Sequence, residues 1–149
     1  MWTGGFYSSY FTSIIMLTVL TDDKYFGQII SLAKRFPEGG LANLSKELYA
    51  AVSNPFRFLI LADVEGEVLR GFFFAALSVW NGERVAFVRG YAYDGQISKS
   101  IYLSGYQQVR EWCKTRRITA LLGFTQRPKG FIRRYGCAVI SAVIRKELV

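Results

Sequence analysis

Along this chain the apolar positions change period several times, and each change marks an element. Residues 13–21 read Ser-Ile-Ile-Met-Leu-Thr-Val-Leu-Thr, a β-branched and large apolar run that predicts a strand. Thr21-Asp22-Asp23 then predicts a helix N-cap and an acidic first turn. Tyr25, Phe26, Ile29, Ile30, Leu32 and Ala33 follow at helical spacing until Phe36-Pro37 stops the run. Glu38-Gly39-Gly40 makes a turn. A second short helix is expected over 43–52, with Leu44, Leu48 and Val52 on one face, and Asn54-Pro55 ends it.

The middle of the chain reads as a meander. Strands are predicted over Phe56–Val64 and Val68–Trp80, flanking a Glu65-Gly66-Glu67 turn. Asn81-Gly82 is the strongest type I′ hairpin signal and leads into a third strand, Arg84–Tyr93. Asp94-Gly95 breaks the pattern. Ser98 or Ser100 is then placed to cap a long helix running to about Arg116, whose buried stripe is Ile101, Tyr102, Gly105, Tyr106, Val109, Trp112 and Cys113. A mid-helix glycine costs about 1 kcal/mol relative to alanine, so close packing at Gly105 is expected. Ile118–Thr125 reads as a buried strand, parallel to its predecessor if the helix is a right-handed crossover. A short basic helix over 130–136, closed by Gly136, and a final apolar strand over Cys137–Val149 complete the order. The layout is mixed α/β (α+β), with helices covering a central sheet.

Composition narrows the class. At 149 residues with 51% hydrophobic and 20% charged positions, the chain is globular and long enough to bury a core. A net charge of +8 favours an anionic partner without saying which, and the cations crowd the later part, from Arg110 to Lys146. There is no histidine and only two cysteines, Cys113 and Cys137, so the usual zinc and haem ligand sets are missing, as is the commonest general base. Both cysteines read as small buried hydrophobes in a reducing, cytoplasmic compartment. The first 21 residues are uncharged, but their apolar part, Phe6 to Leu20, is too short for a membrane span, and no basic n-region or cleavage signal marks it. They are expected to form an aromatic arm over 1–12, suited to self-association or a protein partner, ahead of one domain over 13–149.

Three phrases in this order resemble the GCN5-related N-acetyltransferase (GNAT) fold. Ala62-Asp63-Val64-Glu65-Gly66-Glu67-Val68-Leu69-Arg70-Gly71-Phe72 is similar to that family's central hairpin. Trp112-Cys113-Lys114-Thr115-Arg116-Arg117-Ile118 resembles the end of its long helix and the start of its fifth strand. Gly130-Phe131-Ile132-Arg133-Arg134-Tyr135-Gly136-Cys137 resembles its short last helix. The resemblance covers about residues 13–148 and implies a GNAT-like mixed sheet of about six to seven strands flanked by about four helices.

It also implies chemistry. The family's fourth and fifth strands splay apart and hold the pantetheine arm of acetyl-CoA, which here falls to backbone groups of Phe87, Val88, Arg89, Gly90 and Tyr91. The pyrophosphate loop falls on Gly95, Ser98, Lys99 and Ser100, where serine hydroxyls, a lysine and helix amides replace most of the family's glycines. The tyrosine that often reprotonates the thiolate is replaced by Ile132, which leaves Tyr135, about one helical turn away, as the candidate acid and Glu65 as a candidate acid or base near the hairpin. The implied function is an acyl-CoA-dependent N-acyltransferase acting on an amine-bearing small molecule or protein. Two alternatives share the same residues. One is a catalytically inactive GNAT-fold binding or assembly module; the other is a nucleic-acid-binding protein. Arg127, Lys129, Arg133 and Arg134 give each an anion-binding surface late in the chain.

Overall fold

Positive φ angles at Asn81 (51°) and Gly82 (80°) fold the two longest strands back on each other, the left-handed pair that a type I′ turn requires. The computed structural model describes residues 17–36, 43–124, 138–140 and 143–148. Its elements in chain order are β1 (Thr18–Val19), α1 (Phe26–Arg35), α2 (Leu44–Val52), β2 (Phe58–Glu65), β3 (Val68–Trp80), β4 (Glu83–Tyr93), α3 (Lys99–Lys114), β5 (Ala120–Phe124), β6 (Ala138–Ile140) and β7 (Val143–Glu147). The strands form one sheet in the order β1-β2-β3-β4-β5-β7-β6. Only β4 and β5 run parallel, joined by the α3 crossover; all other neighbours are antiparallel.

The unbroken apolar run Phe72-Phe73-Phe74 is explained by helices on both sheet faces. Phe72 and Phe74, with Ile60 and Ala62 of β2, pack under Phe26 and Ile29 of α1 and Leu48 of α2. Their alternates, Leu59, Leu61 and Phe73, pack under Val109 and Cys113 of α3. Gly105 meets its expected reason: a Cβ there would lie 3.0 Å from Cδ1 of Leu17. At the same contact the Gln108 amide bonds the Leu17 backbone twice, donating to its carbonyl and accepting from its N–H, each at 2.9 Å. The two bonds fasten α3 to the chain entering β1.

Two sequence expectations need correction. Asp22 and Asp23 do not cap α1. The helix begins at Phe26, and the two aspartates form the turn before it: Asp22 Oδ1 accepts from the Lys24 amide at 3.0 Å, and the Asp23 carbonyl accepts from Phe26 at 3.1 Å. Aspartate bonds nearby backbone outside a helix as readily as at its cap, which is why the signal slipped by a turn. The final segment, expected as one strand, is instead the antiparallel pair β6–β7, with Ala138 opposite Arg145 and Ile140 opposite Val143. No Gly, Pro, Asn or Asp stands between them to mark the turn. The expected short helix over 130–136 and the arm over 1–12 lie outside the described residues.

Arg116, one of the crowded late cations, belongs to the framework. Its guanidinium donates to the carbonyls of Phe56 (2.6 Å), Pro55 (3.3 Å) and Trp112 (2.9 Å), and lies over the rings of Trp112 (4.4 Å) and Phe56 (4.8 Å). It locks the turn after α2 to the end of α3. Among the described residues, no helix is long and apolar enough to cross a membrane.

Candidate active site

The site begins with a fault in the β3–β4 ladder. Phe74 opposes Gly90 and Ala75 opposes Val88, so Arg89 has no counterpart on β3. This is a β-bulge, which bends its strand and re-aims the side chain it carries. On the other side of β4, pairing with β5 is confined to Ala86–Leu121 and Phe87–Leu122. Both strands run on, β4 to Tyr93 and β5 to Phe124, but no β5 residue pairs with β4 after Phe87. The ladder therefore ends beside the bulge: Gly123 of β5 still lies against Val88, where a Cβ on it would be 3.6 Å from the valine Cβ, and the opening follows along Arg89–Tyr93.

The chain leaving β4 is held firmly. The Asp94 amide donates to the Arg70 carbonyl at 2.7 Å, and its carboxylate pairs with Arg35 at 3.0 Å. Gly95 takes a φ of +95°, which an L side chain rarely adopts. Ser98 is the N-cap of α3: its Oγ accepts from the Ile101 amide at 3.2 Å. The first helical amides have no partner within the helix and carry the positive end of its dipole, so the end of β4 faces a ready acceptor of anions. Lys99 is exposed there. Ser100 instead lines an apolar groove of about 750 Å³ between α3, β1 and the start of β2.

One further row crosses the sheet near the same end. Asp63, Gly71 and Tyr93 stand in register on β2, β3 and β4, and the Tyr93 hydroxyl reaches across Gly71 to donate to Asp63 at 2.5 Å. Burial first, and then this bond, push the Tyr93 phenol up to about 12.

The expected site residues thus separate into groups. Phe87 is still paired with Leu122 and Val88 to Tyr91 follow that last pair, while Gly95 lies in the turn, Ser98 caps α3 and Lys99 is its first residue. Glu65 lies on β2, separated from the opening by β3 and β4; its side chain is 82% exposed and only 3.8 Å from Arg70. Tyr135, Ile132 and the cations Arg127, Lys129, Arg133 and Arg134 lie outside the described residues. Cys113 is buried as expected, and burial pushes its thiol up to about 12.

Sequence reasoning missed a pair at the bulge itself. The Arg89 side chain turns to α2 and grips Glu47 with two parallel bonds, Nε to Oε1 at 2.6 Å and Nη2 to Oε2 at 2.7 Å. This bond raises the arginine pKa above its usual value. The two residues are 42 positions apart, and no local signal links them. Among the described residues, no group of three or more His, Cys, Asp or Glu could hold a metal.

An opening between a fourth and a parallel fifth strand, with a bulge on the fourth and a capped helix after it, decides the architecture. The fold as a whole is matched in solved structures. A protein assigned to the GNAT family of acetyltransferases, from Desulfovibrio desulfuricans, aligns with 89% of this chain and 98% of its own, at a TM-score of 0.70 and 10% identity. The chain has the GNAT fold. The N-acyl amino acid synthase FeeM, from uncultured soil microbes, aligns with 89% of this chain and 95% of its own (TM-score 0.65, 12% identity). The PaiA N-acetyltransferase of Thermoplasma acidophilum, in complex with coenzyme A, aligns with 88% and 98% (TM-score 0.62, 12% identity). No family model matches the sequence, and no curated protein matches it. The GNAT likeness is therefore one of fold, carried by topology rather than by sequence.

Proposed function

We propose that the protein is an N-acyltransferase that moves an acyl group from an acyl-coenzyme A thioester to an amine. The observation that carries the reading is the loss of β4–β5 pairing at the Arg89 bulge, directly before the capped N-terminus of α3. An extended polar arm suits a strand whose ladder with its neighbour has ended, as that of β4 with β5 has after Phe87. The solved structure with coenzyme A on the same fold supports the choice of ligand.

In this proposal, backbone groups of Phe87 to Tyr91 bind the pantetheine arm. Gly95 lets the chain turn close to the pyrophosphate, which the α3 amides and Lys99 hold. Ser98 caps the helix and so fixes those amides, and Ser100 borders the apolar groove. The amine nitrogen attacks the thioester carbonyl, a carbon–nitrogen bond forms and the carbon–sulfur bond breaks. The amine gives up one proton and the departing thiolate takes one, with no change of oxidation state. Tyr135 supplies the thiolate proton. Glu65, two strands away, has no part in the reaction.

The test is release of free thiol from acetyl-CoA against a panel of amines, with Lys99→Glu as the control. The proposal expects amine-dependent release and an acetyl-CoA affinity weakened in the variant. Release that no amine stimulates, with no binding of acetyl-CoA, would favour the rival binding-module reading, which the 750 Å³ apolar groove along α3 supports.

A further inference from the structure

Four ion pairs are formed among the described residues, and three of them join well-exposed side chains. The fourth, Glu47–Arg89, is different in place and form. It is bidentate, its side chains are 22% and 38% exposed, and its arginine is the bulge residue at the mouth of the β4–β5 opening. Phe87 lies beneath the guanidinium at 6.0 Å. The pair is the least exposed of the four and the one held by two bonds, so its geometry is the most closely fixed.

The two bonds engage Nε and Nη2 of the arginine and one acceptor direction on each glutamate oxygen. Nη1, with two N–H groups, makes no hydrogen bond among the described residues, and the carboxylate keeps further lone pairs. The pair therefore offers a donor fork and an acceptor side by side, with no net charge. A ligand that complements it carries an ammonium beside a carboxylate. A lone anion meets repulsion from Glu47, and a lone cation meets repulsion from Arg89.

We infer that Glu47 and Arg89 form the head-group site of the acyl acceptor, and that this acceptor is a zwitterion bearing a carboxylate next to its reacting amine, of the amino-acid type. Glu47 accepts from the ammonium, and Arg89 binds the carboxylate through Nη1. The inference rests on the acyltransferase reading for the word acceptor, but the zwitterion site stands on the pair's own geometry.

The experiment compares free α-amino acids, their amides and their decarboxylated amines, first as acceptors with acetyl-CoA and then as ligands for the protein alone by calorimetry. At least one amino acid should exceed its amide and its decarboxylated amine by about 10- to 100-fold in kcat/KM, the loss expected from one charge-assisted contact. Glu47→Gln should raise KM for that amino acid and leave acetyl-CoA affinity unchanged, and Arg89→Gln should raise the same KM. The exchanged double variant, Glu47→Arg with Arg89→Glu, restores a bridge between α2 and β4 and should recover thermal stability but not amino-acid use. Recovery of both, or equal use of amines lacking the carboxylate, overturns the inference while leaving the acyltransferase reading intact. Binding of amino acids without any binding of acetyl-CoA refutes that reading and keeps the site. Binding of no amino acid under either condition overturns the site.

Discussion

Tyr93 lies on Gly71: the two residues are directly opposed on β4 and β3, and a Cβ added to the glycine would clash with the tyrosine ring, meeting Cδ1 and lying 2.8 Å from Cε1. The glycine leaves the gap that lets the phenol cross β3 and bond Asp63 on β2. Gly71→Ala should therefore displace the ring and destabilise the fold by about 1–3 kcal/mol, the usual range for overpacking. Urea unfolding measures it. In a Tyr93→Ala background the cost should shrink, because the neighbour that clashes is gone.

The same tyrosine sets a pH dependence. Tyr93 and Cys113 both have pKa values raised to about 12, from ordinary values of 10.0 and 9.0. Both are neutral when protonated, so the fold favours the protonated form. Their contribution is complete below the ordinary values and is lost as pH climbs toward 12. The melting temperature should fall progressively from about pH 9 upward. Tyr93→Phe and Cys113→Ala should each flatten that decline even where they lower the starting value. A decline identical in both variants and the parent would contradict the assignment.

Arg116 should behave as a framework residue. Arg116→Ala removes its bonds to the turn carbonyls and its stacking on Trp112 and Phe56, an expected loss of about 1–3 kcal/mol. Arg116→Lys should recover little of this, since an ammonium has neither the fork nor the flat face. Chemical unfolding of the three proteins decides it. Thiol release from acetyl-CoA, measured on the folded variants, should be little changed.

What the sequence made legible was whatever a few adjacent residues determine. Asn81-Gly82, the α3 cap offered at Ser98 or Ser100 and the apolar run of β3 needed no distant partner to be read; the turn and the strand stand where expected, and Ser98 is the cap. The parallel β5 followed from the length of the α3 crossover. The bulge at Arg89 was not legible, because it exists only in the register of β4 against β3. The Glu47–Arg89 pair was hidden for the same reason, its halves being set by two elements that meet only after folding. Gly105 fell between: its oddness in a helix was visible, but Leu17 as its neighbour was not. The site's phosphate end was read as a serine- and lysine-bearing loop. In the structure Ser98 caps α3 and Ser100 borders the groove.

The most direct test of the central claim is a calorimetric titration of the full chain with acetyl-CoA, paired with its melting temperature. The account predicts saturable binding at one site, and at about 100 times the dissociation constant a stabilisation of about 2.7 kcal/mol. For a domain of this size that is a rise of about 5–10 °C, reduced in Lys99→Glu. No heat of binding and an unmoved melting temperature at millimolar acetyl-CoA would contradict it.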